Sequence, residues 1–460
     1  MSLSLLSRSG RGLCPPGPKP RWLSGNVREF AADRLGFLAD CARTYGDFVS
    51  IRLGPYPIMV VNHPDQIEDV LVTQNRKFIK HFALRNRTKP TLGQGLLTSE
   101  GDFWRRQRRL SQPAFHRDRI EAYGAVMVEA TERMLQDWAG GQTRDVQADM
   151  MQVTLEIVAK TLFDADLTAE SAGLSVVMET LMAAFTAQVN KRFVLPPYIP
   201  TPSNVRVNRA LRQLDQVLYR FVTERRASGA DRGDLLSMLL KATDDELDGT
   251  GMTDRQLRDE LMTLFMAGHE TTANTLAWAF YLLSQNPEAR DELHAELDAV
   301  LTDGRPPTVA DLPRLPFTGH VIAESLRVLP TVWLLGREAI EPTEVGGYPV
   351  PVGLTIYMSQ WVVHRDPRWF DDPEAFRPGR WSGDLARRIP RYAYFPFGGG
   401  PRVCIGNQFA LMESALLLAT IARRFRLELA PAAQVELLPT MTLRPAHGLK
   451  MHVHARKSLN

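Results

Sequence analysis

The chain has 460 residues, 44% hydrophobic and 23% charged, with a formal net charge of +3; this is a globular composition with enough length for an extensive core and, by length alone, about three domains. No lysine–arginine block interleaved with aromatics occurs, which argues against nucleic acid as partner despite a pI near 8.7. Cys14, Cys41 and Cys404 form neither a C-x-x-C pair nor a His/Cys cluster of zinc spacing, so no disulfide framework or structural zinc is indicated and a reducing compartment is the default.

In chain order, residues 1–14 read as a short flexible segment. Their Leu3-Ser4-Leu5-Leu6 patch is broken by Arg8 and Arg11, too short for a membrane span or a signal peptide, so a soluble, cytoplasmic protein without an integral membrane anchor is expected. A proline-rich run, Pro15 to Pro20, opens the remainder. Phe48–Leu53 turns through Gly54-Pro55 into Ile58–Val61 as a hairpin. Trp104 and Arg108 stand four apart on one side of a predicted helix, with Arg105, Arg106 and Arg109 elsewhere on it as a basic face. Phe193 to Pro200 joins two helical stretches and is either an apolar lid or an ordinary proline-rich loop.

The segment from Asp254 to Gln285 reads as one helix. Thr253 with Gln256 makes a capping box, and Pro287 marks the stop; about 32 residues at 1.5 Å each give roughly 48 Å. Apolar residues all round it (Leu261, Leu264, Phe265, Leu276, Trp278) imply burial. A helix of that length crosses a whole domain, which favours one large domain over residues 15–460. In its middle lies a polar knot, Ala267-Gly268-His269-Glu270-Thr271-Thr272. Gly268 costs about 1 kcal/mol against alanine, and Thr271 can bond back to the Ala267 carbonyl, bending or opening the helix. The knot is either a small-ligand groove or a kink filled by a satisfied polar cluster. Further on, Glu324 and Arg327 share a helix face, a spacing that occurs on ordinary solvated helices too. Val345 to Val350 suggests a second hairpin and Leu449 to Val453 a last strand, with the rest mainly helical.

Phe397-Gly398-Gly399-Gly400-Pro401-Arg402-Val403-Cys404-Ile405-Gly406 is the most specific signal in the chain. A lone cysteine at the start of a helix faces unpaired N–H groups and the positive dipole end, which favour its thiolate. The glycines let a flat cofactor lie against backbone, and Arg402 offers a cation to an acidic group on it. Haem iron held by a thiolate fits this set, whereas a buried structural cysteine would need neither the glycines nor the arginine.

This loop resembles the haem-binding signature of the cytochrome P-450 monooxygenases at every fixed position, with Phe397, Gly398, Arg402, Cys404 and Gly406 in place. The resemblance runs from about Pro15 to the C-terminus. It implies a mainly α fold with small β-sheets, a triangular prism in which haem b lies between the long helix and the cysteine loop. It makes Cys404 the axial ligand of the haem iron. Ala267 to Thr272 is similar to the family's oxygen-binding groove, with Ala267 against the haem and Glu270 and Thr271 as the acid and alcohol that deliver protons. Glu324, Arg327 and Arg380 would be its salt-bridged triad, although Gly379 and Trp381 depart from the usual letters. Trp104 and Arg108 resemble its propionate-binding pair, and Arg337 a further propionate arginine. Pocket walls by the same analogy are Leu264, Ala267, Val332, Trp333, Leu334 and Met441.

The implied function is insertion of one atom of dioxygen into a lipophilic small molecule (fatty acid, terpenoid or steroid-like) by a monomeric, bacterial-type enzyme. Electrons would come from a ferredoxin or flavodoxin with its NAD(P)H reductase, since no flavin or iron–sulfur motif is present. Alternatives are a haem-thiolate peroxygenase or isomerase and a non-catalytic haem-thiolate ligand-binding protein. A cysteine hydrolase lacks a nucleophile–base arrangement around Cys404.

Overall fold

The structure is a computed structural model that describes residues 14–164, 171–190, 195, 198–243, 249–302 and 304–456. The segment 1–13 and Phe193, Val194, Pro196 and Pro197 of the suggested lid lie outside the described residues. Two compact units divide the chain, Met1–Phe82 with Leu326–Cys404, and Ala83–Ser325 with Ile405–Asn460.

The first unit is built on a five-stranded sheet. Phe48–Leu53 and Tyr56–Val61 pair antiparallel as the expected hairpin, turning at Gly54, whose φ of 65° suits glycine. Tyr56–Val61 then pairs in parallel with Thr355–Met358, which continues through Leu335–Ala339 to Phe78–Lys80. Local pattern reads 335–339 and 355–358 as part of a mainly helical remainder; they are strands because Phe78–Lys80 and Tyr56–Val61, far back in the chain, complete them. Val61, Ile67, Val70, Phe78, Ile356 and Met358 form the apolar core beneath this sheet. The second hairpin is present as Thr343–Val345 and Tyr348–Val350, and its central Gly346 and Gly347 take φ of 58° and 82°, as a tight primed turn requires.

Helices dominate the second unit. The long helix spans Asp254–Gln285 with the capping box of Thr253 and Gln256 intact. Pro287 does more than stop it, because it is the first residue of the next helix, Pro287–Val300, where its missing N–H is no loss. The long helix packs on Val146–Phe163, and Leu155, Val158, Leu162, Leu261, Phe265 and Met266 join one core cluster. Trp278, fully buried, donates its indole N–H to the Leu443 carbonyl at 2.9 Å. The last strand is Lys450–Ala455, lying between Thr143–Asp145 and Phe425–Leu429. The second of these partners is another strand that local pattern missed. Among the described residues no helix is long and apolar enough to cross a membrane.

Candidate functional site

The cysteine loop belongs to the first unit and is shaped by backbone bonds. Cys404 N–H donates to the Phe397 carbonyl at 3.0 Å, Val403 N–H to Gly400 and Gly398 N–H to Phe395. Gly398 and Gly400 have φ of 71° and 65°, a region side chains disfavour. A Cβ on Gly400 would sit 1.9 Å from the Leu71 carbonyl oxygen, and one on Gly399 would strike the Tyr392 ring at 2.2 Å. The glycines are therefore demanded by close packing of the loop itself. The helix that follows begins at Asn407, three positions past the sulfur, with Gly406 as its N-cap residue.

Two cysteines contrast sharply. Cys41 is buried, and burial pushes its thiol up to about 11, which keeps it protonated. Cys404 is exposed. Cys14 is exposed as well, near Ser50 rather than in a glycine loop.

Arg337 lies on strand Leu335–Ala339, buried, and the register sets Lys80 directly opposite it, also buried. Like charges opposite each other are costly unless an anion serves both. Nothing local in the sequence marked Lys80, because the pairing exists only once the sheet forms. Leu335 of the same strand lies 3.4 Å from where a Gly398 Cβ would stand, so the strand that carries Arg337 also borders the cysteine loop. Val332, Trp333 and Leu334 precede this strand; Trp333 is buried and its carbonyl accepts Ser359 Oγ at 2.9 Å.

Arg327 and Arg380 are brought together. Arg327, fully buried, donates to the carbonyls of His364, Pro373 and Ala375 at 2.9, 2.6 and 2.9 Å, and its guanidinium lies over the Phe370 ring. Arg380 donates to the carbonyls of Asp371, Asp372 and Ala375. Both arginines thus fasten the segment 364–375 by its backbone. Glu324 is fully buried in the second unit, on helix Pro316–Val328.

In the second unit, the middle of the long helix is buried except on one side. Ala267 is exposed and Gly268 and Thr271 are half-buried, positions that share a face. Thr271 Oγ1 donates to the Ala267 carbonyl at 2.8 Å as expected. The anticipated opening does not follow, since the helix runs unbroken through the knot. A carbonyl oxygen has two lone pairs, so Ala267 accepts the hydroxyl without surrendering its helical bond. Gly268 also has a packing reason, as a Cβ there would lie 3.2 Å from Val158 Cγ2 on the neighbouring helix.

Glu270 and Thr271 do not bond to each other among the described residues. Successive helix positions point about 100° apart, and Glu270 turns inward, where its Oε1 accepts Thr442 Oγ1 at 2.5 Å. Asn274 lies beside Thr442 and is itself held by Gln147 at 3.0 Å. Burial raises the Glu270 pKa, partly offset by the Thr442 hydrogen bond, so its neutral form is favoured. His269 is packed, its pKa lowered to about 4 by burial. Leu264 and Met441 border the same core cluster.

Trp104 and Arg108 lie on helix Gly101–Ser111, Trp104 buried and Arg108 half-buried, with fully buried Gln107 between them on the inward side. The basic face expected alongside is largely committed. Arg105 forms an exposed ion pair with Asp102, and Arg106 donates to the Thr250 and Gly251 carbonyls at 2.9 and 3.3 Å.

Taken unit by unit, the residues have the chemistry a flat, anionic, iron-bearing group needs: in the first, an exposed cysteine in a constrained loop and buried Arg337 and Lys80; in the second, an open helix face of small residues. Comparison with known proteins agrees. Residues 15–453 match the family model for cytochrome P450. The chain is 40% identical over 443 residues to cyclooctatin synthase of Streptomyces melanosporofaciens, covering 95% of this chain and 94% of that one. It is 39% identical over 420 residues to cyclooctat-9-en-7-ol 5-monooxygenase of the same organism, covering 90% and 89%. Against pentalenene oxygenase of Streptomyces avermitilis the identity is 34% over 447 residues, covering 96% and 97%.

Proposed function

Since the chain belongs to the cytochrome P450 family, whose monooxygenases carry a cysteine-ligated haem b, we propose that Cys404 supplies the thiolate and that the substrate is a cyclic terpenoid. The exposure of Cys404 within its glycine-constrained loop carries the first part; Cys41 is buried with its thiol pushed up to about 11, and Cys14, though exposed, stands in no such loop. The names of the relatives, a cyclooctat-9-en-7-ol 5-monooxygenase and a pentalenene oxygenase, support the second over a fatty acid or steroid.

When bound, the haem supplies reductive activation of dioxygen and transfer of one oxygen atom to carbon. The chain's own residues do the rest. The cations Arg402, Arg108, Arg337 and Lys80 would neutralise the haem carboxylates, and the uncharged Trp104 indole would donate a hydrogen bond to them. Ala267 and Gly268 keep side-chain bulk off the open helix face. Thr271 holds a proton at Oγ1, donated at rest to the Ala267 carbonyl, and rotation about χ1 turns it toward that face. Glu270, anchored on Thr442, can join this relay only by leaving that hydrogen bond. Leu264, Ala267, Val332, Trp333, Leu334 and Met441 are the wall residues that select which carbon is oxidised.

Electrons reach the enzyme from a separate ferredoxin or flavodoxin with its reductase, and it acts as a cytoplasmic monomer. The test is a reduced carbon monoxide difference spectrum of wild type and Cys404→Ser, then spin-shift titrations with cyclic terpene alcohols and hydrocarbons, fatty acids and steroids. Thiolate-type absorption in wild type alone, with shifts by the cyclic terpenoids, is expected. A serine variant that kept this absorption would remove Cys404 as ligand; shifts confined to fatty acids would overturn the substrate assignment.

A further inference from the structure

Glu260 is fully buried on the long helix, ten residues or roughly 15 Å before Glu270. A buried carboxylate costs heavily unless it is hydrogen-bonded. Its Oε2 accepts the backbone N–H of Leu96 at 2.9 Å, and its Oε1 accepts Gln107 Nε2 at 3.1 Å. Gln107 adjoins Arg108 and lies one turn from Trp104. The neighbouring Asp259 repeats the pattern, with Oδ2 accepting the Gln94 N–H at 2.8 Å.

The loop between is pressed onto this turn of the helix. A Cβ on Gly93 would meet Asp259 Oδ1 at 2.0 Å, and one on Gly95 would meet Thr263 Oγ1 at 2.2 Å. The loop is also closed on itself, with Thr98 Oγ1 bonded to the Gly93 carbonyl at 2.7 Å and Ser99 Oγ to that of Gly95 at 2.9 Å. Residues 93–107 are thereby fixed in register against Asp259, Glu260 and Thr263.

We propose that Glu260 is a positioning residue that locks helix Gly101–Ser111 to the long helix, and so sets where Trp104 and Arg108 meet the haem propionates. The inference rests on the assignment of Trp104 and Arg108 to the propionates. It concerns no chemistry at Glu260 itself. A carboxylate suits the place because it accepts from two N–H donors at once, one on the loop and one on the helix.

Haem loss, followed by transfer to excess apomyoglobin, reads this directly. Glu260→Leu keeps volume but removes both links, and haem loss should accelerate at least tenfold. Glu260→Gln should stay within twofold of wild type. The Gln107 amide can turn over to offer its buried Oε1, which has no hydrogen-bond partner among the described residues, to the new Nε2. Leu293→Ala, a buried cavity on helix Pro287–Val300, controls for general destabilisation. Arg108→Gln tests the underlying assignment.

Glu260→Leu added to the double variant Trp104→Phe/Arg108→Gln should accelerate haem loss no further, since Glu260 acts through those two contacts. If Arg108→Gln accelerates loss while Glu260→Leu matches the Leu293→Ala control, the positioning role is wrong. If Arg108→Gln has no effect, the propionate assignment fails, and any effect of Glu260→Leu then cannot run through that helix.

Discussion

Glu413 sits on helix Asn407–Arg424, fully buried, and neither of its carboxyl oxygens has a hydrogen bond of full geometry among the described residues. Burial pushes it up to about 8 from an ordinary value of 4.5, and proximity of the Thr272 hydroxyl only trims that rise. In the folded chain the carboxyl is neutral at pH 7, while in the unfolded chain it is ionised. The folded state therefore holds a proton that the unfolded state has lost between about pH 4.5 and 8, and stability must fall as pH rises through that window. At 1.36 kcal/mol per unit, a rise of about 3.5 units amounts to roughly 5 kcal/mol, in full only above pH 8. Glu413→Gln is neutral throughout and escapes this loss. Relative to wild type it should gain under about 1 kcal/mol at pH 5 and about 4 kcal/mol near pH 8. The assay is the difference in urea midpoint between the two proteins, converted with a common m-value, from pH 5 to 8.5; taking the difference cancels every other titrating group. A difference that stayed flat with pH would refute the reasoning, since it would mean Glu413 keeps an ordinary pKa inside the fold.

Four further outcomes are expected. Arg327→Ala strands three carbonyls that the guanidinium satisfies and should cost roughly 3–5 kcal/mol, measured as loss of folded, haem-loaded protein; Arg327→Lys should not rescue it, because an ammonium cannot fork to three separated acceptors. Gly400→Ala should abolish haem retention, being strained at a φ of 65° and clashing with the Leu71 carbonyl, whereas Gly379→Ala, with open space around it, should leave the haem-to-protein ratio unchanged. Thr271→Ala should let NAD(P)H consumption continue while product falls and peroxide accumulates, and Thr271→Ser should restore product; a yield untouched by Thr271→Ala would remove the hydroxyl from the relay. Arg106→Glu should lower thermal stability as well as slow reduction, since that arginine holds the Thr250 and Gly251 carbonyls; a stability equal to wild type would show those bonds to be dispensable.

Local physics made the long helix readable down to its end residues. A helix closes its hydrogen bonds four residues back, so its start is marked by Thr253 and Gln256 and its end by Pro287, all visible in the sequence. The cysteine loop was legible for a similar reason: its geometry comes from glycines at fixed offsets from one sulfur, and the bond from Cys404 N–H to Phe397 spans only seven residues. Tertiary structure alone decided what depended on distant partners. Strand Thr355–Met358 exists because Tyr56–Val61 lies alongside, and Lys80 faces Arg337 only once that sheet has formed. Spacing placed Glu270 and Thr271 together, but the arrival of Thr442 turned Glu270 inward and left Thr271 on the open face. The sequence on its own determined that a tight cysteine loop and a long polar-knotted helix would form, because their bonds are short-range. Which buried side chains hold them in register was settled by packing between segments hundreds of residues apart, where no local signal reaches.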